Sequence, residues 1–255
     1  MELWTDQHAK TLLPAVAVYF VIGFLLRLWI GKKSLRVRMI PFQILAVVIV
    51  LLEIGKQVVS FSRGYDLYHI PLHFCSLFIF MLPAMAFYRG KGANTVAGIT
   101  SALCTAVFAL MMIYPNLIYS AGNIENFFGD NFLDFHTVAF HNIVVLEFVL
   151  VIMLNLHTPA PRGESKAVVW FMVGFCVVAA SMAQILETNY ANFYSCNIPV
   201  FETLRISMQS VLGAVLTQII YVLIVAALTV LFVLGFYRLY RLLKKVMEPK
   251  QAVAE

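Results

Sequence analysis

Seven continuous apolar runs, each about as long as a membrane crossing, divide the chain: residues 12–30, 40–61, 70–88, 93–114, 132–156, 167–186 and 212–237. A spanning helix needs roughly 20 mostly apolar residues. Lipid cannot satisfy open backbone groups, so only helices or a closed barrel cross it. The runs are continuous and do not alternate, which selects helices. The pattern predicts an all-α, polytopic membrane protein with seven transmembrane helices, forming a single integral membrane domain over residues 1–255.

The polar stretches between the runs predict an orientation. Lys32, Lys33, Arg36 and Arg38 follow the first run, Arg89 and Lys91 the third, and Arg162 and Lys166 the fifth. Arg238, Arg241, Lys244, Lys245 and Lys250 follow the seventh. The alternate connections hold only Lys10, Arg63 and Arg205. Basic residues mark the cytoplasmic side. The expectation is therefore a cell-membrane protein with its N-terminus outside and its C-terminus in the cytoplasm. The longest outer connection, 187–211, contains Pro199, and residues 201–209 predict a short interfacial helix.

Composition agrees with this picture. Hydrophobic residues make up 62% of the 255 positions and charged residues 12%, against about 45–50% and 25% in a soluble domain. The net charge of +5 lacks any basic stretch interleaved with aromatics, so no nucleic-acid partner is expected. Cys75, Cys104, Cys176 and Cys196 show no CxxC spacing and do not read as a disulfide framework. The first residues are acidic, and a cleavable leader is not expected.

Ionisable groups inside spanning helices are costly, so each is a functional candidate. Glu53, Lys56 and Gln57 share one face of the second run at i, i+3, i+4. They form either a self-neutralising pair or a wall for a lipid headgroup. The third run opens with His69, His73 and Cys75, and the fifth with Asp134, His136, His141 and Asn142. Gln184 and Asn189 close the sixth, while Glu147 falls mid-helix in the fifth without an evident partner. With the predicted orientation these groups converge on the extracytoplasmic half and predict a buried polar pocket there. Cys75 beside an imidazole makes an activated nucleophile. On a regular helix His73 faces away from Cys75, which leaves His141 or His136 as the base, with Asp134 and Thr137 on the His141 side to orient it. An alternative uses His69, His73 and His136 as metal ligands, because His69 and His73 stand at i, i+4 on one helical face. That would make a metal-dependent membrane amidase or esterase. A third reading is a non-enzymatic lipid- or solute-binding protein.

The segment Ile70-Pro71-Leu72-His73-Phe74-Cys75-Ser76-Leu77 resembles a motif helix of the YwaF-like integral membrane proteins of bacteria. That family includes the animal transmembrane acyltransferase that remodels ether phospholipids. His136 and Phe140-His141-Asn142 resemble its following histidine motif, with Asn142 where glycine is usual. Thr188-Asn189-Tyr190 resembles its late segment. The resemblance implies an acyltransferase with Cys75 as nucleophile and His141 as its histidine. A fatty acyl group would pass from a phospholipid donor to a lysophospholipid acceptor through a thioester. No cofactor is expected. His73, His136, Asp134, Glu53, Lys56, Gln57, Asn142, Gln184, Asn189 and Tyr190 are the expected supporting or substrate-binding residues. Oligomeric state is left open.

Overall fold

A computed structural model describes residues 2–157 and 163–247. Arg162 and Lys250, two of the basic residues used to orient the chain, lie outside the described residues. The elements are α1 (Asp6–Ile30), α2 (Leu35–Arg38), α3 (Ile40–Ser62), α4 (Leu77–Phe87), α5 (Ala93–Ile113), α6 (Ala121–Glu125), α7 (Phe132–Met153), α8 (Glu164–Ile185), α9 (Pro199–Leu212) and α10 (Ala214–Met247). Among the described residues there is no strand. Among the described residues six helices are long and apolar enough to cross a membrane: α1, α2 and α3 taken together, α5, α7, α8 and α10. Many of their large apolar side chains are exposed, as at Leu28, Leu51, Leu223 and Leu231. That is expected where the surrounding solvent is hydrocarbon.

The third run departs from expectation. A helix was predicted over 70–88, but α4 is only 11 residues long and begins at Leu77. Residues 70–76 are bends and turns that follow a 3-10 turn at Leu67–His69. Pro71 lacks an N–H and disfavours helical backbone at Ile70, and side chains from other elements take up the freed carbonyls. Gln57 Nε2 donates to the His69 carbonyl at 2.9 Å, and Tyr190 Oη donates to the Leu67 carbonyl at 2.5 Å. Irregular backbone among spanning helices is tolerated where it is buried in protein or lines a cavity. Other boundaries also shift. α1 starts earlier than predicted, and α10 runs through the predicted basic end to Met247. The predicted interfacial helix is the longer α9, with Val200, Phe201, Leu204 and Val211 exposed.

α5 is the central helix and packs on α4, α7, α8 and α10. Its small residues, Ala97, Gly98, Ser101, Ala102, Cys104, Thr105 and Ala106, are all buried. Small side chains let helix backbones approach where no hydrophobic effect drives them together. Its hydroxyls bond back along the helix, Ser101 to the Ala97 carbonyl and Thr105 to the Ser101 carbonyl, both at 2.7 Å. α1 packs on α7, where Gly23 leaves no room for a Cβ against Val149 and Met153.

The opposite end of the bundle, where α7 leads toward α8, carries a polar cluster that the run pattern does not announce. His157 Nε2 donates to Glu164 Oε1 at 2.6 Å, and Tyr237 Oη donates to Glu164 Oε2 at 2.5 Å. Tyr240 Oη lies 3.1 Å from His157 Nδ1. All four side chains are buried. Arg38 Nη1 donates to the Leu154 and Asn155 carbonyls at 2.7 Å, and Lys244 reaches the Asn155 side chain. Asn155 has φ of +49°, the left-handed stop that asparagine tolerates at a helix end. Replacing Glu164 with alanine leaves His157 Nε2 and Tyr237 Oη buried without the acceptor they share. Glu164→Ala is expected to destabilise the fold by about 3 kcal/mol. Thermal unfolding in detergent checks it, and a midpoint equal to wild type contradicts the account of this cluster.

Candidate active site

The irregular segment has a chemical consequence. Cys75 directly precedes Ser76, the N-cap of α4, so the positive end of the α4 dipole lies at the candidate nucleophile. The same irregularity removes the premise that His73 and Cys75 face opposite ways. Both line one cavity of about 320 Å³.

That cavity collects most of its side chains from four parts of the chain, with α5 and the α5–α6 connection closing it. α3 contributes Glu53 and Lys56, and the 65–76 segment contributes Tyr68, His69, His73, Cys75 and Ser76. α7 contributes His136, Thr137, Phe140 and His141. The α8–α9 connection contributes Asn189, Ala191, Asn192 and Asn197. Val107, Leu110 and Ile118 complete an apolar wall.

His141 is buried, and its Nδ1 donates to the Thr137 carbonyl at 2.7 Å. A carbonyl can only accept, so Nδ1 carries the hydrogen, and in the neutral ring Nε2 holds the lone pair. The orienting group on the predicted side is thus the Thr137 backbone. Asp134 does not orient His141. Its two oxygens accept from Asn123 Nδ2 at 2.6 Å and Asn131 Nδ2 at 2.7 Å, pinning the α6–α7 connection. The reason is position: Asp134 lies in the first turn of α7 with two asparagine amides in reach.

Glu53 is the hub of the α3 wall. Its Oε1 accepts from Gln57 Nε2 at 2.6 Å and lies 2.8 Å from Lys56 Nζ. Its Oε2 lies 3.5 Å from His136 Nε2, close enough for ion pairing but without hydrogen-bond geometry. Gln57 points away from the cavity and ties α3 to the irregular segment, accepting from Tyr65 Oη at 2.8 Å. His73 Nε2 donates to the Tyr68 carbonyl at 3.0 Å, and its ring lies tilted against Tyr68, 4.3 Å between centroids, and edge-on to Tyr190 at 5.6 Å.

Gln184 and Tyr190 act behind the cavity. Gln184 Nε2 donates to the Phe193 carbonyl at 2.9 Å. Tyr190 is fully buried and holds Leu67. Asn189 lines the cavity while its Oδ1 accepts from the Tyr194 and Ser195 amides. Ala191 and Asn192, next along the same wall, adopt φ of +48° and +65°. Such left-handed backbone costs an alanine roughly 1–2 kcal/mol, and it is held by Gln184, Tyr221 and Gln218, all of which donate into this loop. The loop is held from outside as well: Arg205 makes a bidentate contact with Glu202, whose Oε2 accepts from the Cys196 amide at 2.8 Å. The Arg205 guanidinium holds the Glu202 carboxyl below the usual carboxylate range.

Asn142, an expected member, stands elsewhere, and so does Glu147, the mid-helix carboxyl without an evident partner. Asn142 projects from the other side of α7, where it accepts from Tyr19 Oη at 3.0 Å and lines a different cavity. Glu147 is fully buried, and neither carboxyl oxygen has a hydrogen-bond partner. The metal alternative loses its geometric premise, because no α-helix runs through residues 69–73 to put His69 and His73 on one face, and His69 Nδ1 bonds Ser60 Oγ. Among the described residues no group of three or more His, Cys, Asp or Glu is placed to hold a metal ion. Tyr68, Asn192 and Asn197 line the cavity without any sequence signal. They sit on connections whose path depends on the irregular segment.

A family model described as the TMEM164 family matches residues 3–237. No curated protein and no solved structure matches the chain.

Cysteine accessibility tests this arrangement. Cys75 and Cys196 are half-buried, whereas Cys104 and Cys176 are buried. In native protein a small membrane-permeant maleimide is expected to label Cys75 and Cys196 only, as read by peptide mass mapping. Labelling of Cys104 before Cys75 contradicts an open cavity at Cys75.

Proposed function

The chain belongs to the TMEM164 family, and from that premise we propose that it is a membrane acyltransferase that moves a fatty acyl group between phospholipid and lysophospholipid through a thioester on Cys75. The observation that carries this reading is one cavity lined by Cys75 and by a histidine, His141, whose Nδ1 is tied to a carbonyl and whose Nε2 is left as the base. The resemblance of the Cys75, His141 and Asn189 segments to the YwaF-like proteins supports the same chemistry.

The steps follow from general base and nucleophilic catalysis. His141 Nε2 takes the Cys75 thiol proton. The thiolate attacks the ester carbonyl carbon of the donor, and the ester C–O bond breaks. The departing lysophospholipid oxygen takes the proton from His141. An acceptor hydroxyl then gives its proton to His141 and attacks the thioester carbon. The C–S bond breaks, and the leaving thiolate is reprotonated by His141. The α4 dipole favours negative charge at sulfur in both halves. Lys56, paired with Glu53, and His136 supply the polar wall for a headgroup, and no cofactor enters any step.

In this reading the chain crosses the membrane seven times, with residues 70–76 and α4 together making the third crossing. The N-terminus is outside, the C-terminus is cytoplasmic, and the cavity opens in the extracytoplasmic half. The distribution of basic residues supports this orientation.

The test is the intact mass of purified protein after incubation with phospholipid donors. Wild type is expected to gain an acyl-sized adduct that neutral hydroxylamine removes, while Cys75→Ala gains none. His141→Ala is expected to slow its formation by about 10²–10⁴. Lipid turnover that persists in Cys75→Ala overturns the reading.

A further inference from the structure

α7 divides two cavities. One face of it, bearing His136 and His141, looks toward Cys75, and the other, bearing Val138 and Asn142, lines a second cavity of about 480 Å³. This second cavity takes no part in the proposed chemistry.

Its walls come from α1, α3, α6 and α7, with Tyr119 at the back. No Lys, Arg, Asp, Glu or His lines it. The polar groups that do reach it are already bonded within the protein. Thr11 Oγ1 donates to the Gln7 carbonyl at 2.7 Å. Tyr19 Oη donates to Asn142 Oδ1 at 3.0 Å, and Asn142 Nδ2 donates to the Val138 carbonyl at 2.9 Å. With no charged side chain in its lining and the Thr11, Tyr19 and Asn142 groups committed within the protein, the cavity suits an apolar occupant. Tyr19, Leu52, Val138 and Leu146 are only half-buried, so the cavity is an open groove.

Its length narrows the occupant further. The α7 wall runs from Phe135 to Leu146, about 16 Å at 1.5 Å per residue. The α1 wall runs from Thr11 to Tyr19, about 12 Å by the same rise. One leaflet is half of a hydrocarbon core of roughly 30 Å, or about 15 Å. The groove therefore has the depth of a single leaflet. Its mouth, at Phe127 and Phe128, adjoins polar side chains, with Gln7 Nε2 donating to Glu125 Oε1 at 2.7 Å just beyond.

We infer that this groove is a lipid site, in which one acyl chain of a bilayer phospholipid lies along α7 on the side away from Cys75, with its headgroup at the α6 end. The site rests on the membrane placement of α1, α3 and α7 and not on thioester chemistry. A chain in the groove packs against the Tyr119 ring, whose centroid lies 6.1 Å from that of His141, so the bound lipid and the candidate base share one wall.

The test uses Cys75→Ala protein, so that its outcome is independent of acyl transfer. The protein is reconstituted in phosphatidylcholine vesicles doped with a phosphatidylcholine bearing a diazirine midway along one chain. After illumination the crosslinked residues are mapped by mass spectrometry. Crosslinks are expected to concentrate on groove residues such as Tyr19, Leu52 and Ile143 over lipid-facing residues such as Leu223 and Leu228. Filling the groove with Ala15→Trp or Ala139→Trp is expected to cut the groove crosslinks about tenfold, because an excluded chain loses the burial of several methylenes. Crosslinks spread evenly over groove and outer faces in the protein without filling substitutions overturn the inference, whether or not the filled variants fold. A folded, filled variant with an unchanged groove signal does so as well. A groove signal seen alongside an absent thioester adduct would sink only the acyltransferase reading.

Discussion

Backbone that is not helical, yet lies among membrane-crossing helices, must find partners for its polar groups, and the candidate site depends on how residues 65–76 find theirs. The partners here are fixed side chains: Gln57 on α3, Tyr190 after α8 and His73 within the segment itself. Apolar contacts anchor the rest. Ile70 and Leu72 pack beside Ala179, Ala183 and Phe193, and Phe74 and Cys75 pack on the main core. The stretch is thereby held between α3 and the α8–α9 connection, the two elements that also supply Glu53, Lys56 and Asn189. One constraint sets the cavity walls and places Cys75 at the head of α4.

The two ends of the bundle handle buried polarity differently. At the α8 end, Glu164 accepts from His157 and Tyr237, and Tyr240 meets the other ring nitrogen. His157, Glu164, Tyr237 and Tyr240 each point at another of the four, which ties the α7–α8 connection to α10. In the cavity, by contrast, His136 Nε2 has no hydrogen bond, and His141 is tied through Nδ1 alone. Polar groups with open valences beside a nucleophile are what bond-making chemistry requires. Fully satisfied groups are what packing requires.

Much of this was legible in the sequence. Continuous apolar runs located six long helices to within a few residues at most ends, because lipid forces segment-internal hydrogen bonding. Placing polar residues by depth brought Glu53, Lys56, His73, Cys75, His136, His141 and Asn189 to one level, and they line one cavity. The run 70–88 misled because composition reports hydrophobicity and not backbone state. Pro71, the second residue of that run, marks a break that Gln57 and Tyr190 sustain from outside the segment. Asp134 and Asn142 were misplaced because one turn or one face of α7 decides which cavity a side chain meets. His157 and Glu164 escaped notice because they stand at run ends, where polar residues look like ordinary loop.

The central claim is that the broken third run puts Cys75 under the influence of His141. The most direct measurement is the second-order rate of Cys75 alkylation in folded protein, with the other three cysteines replaced by serine, compared between wild type, His141→Ala and His157→Ala. The account predicts a loss of about tenfold or more in His141→Ala, since a positioned base contributes 10²–10⁴ to such steps, and no loss in His157→Ala, whose imidazole serves the other end of the bundle. Equal rates in wild type and a folded His141→Ala would contradict it.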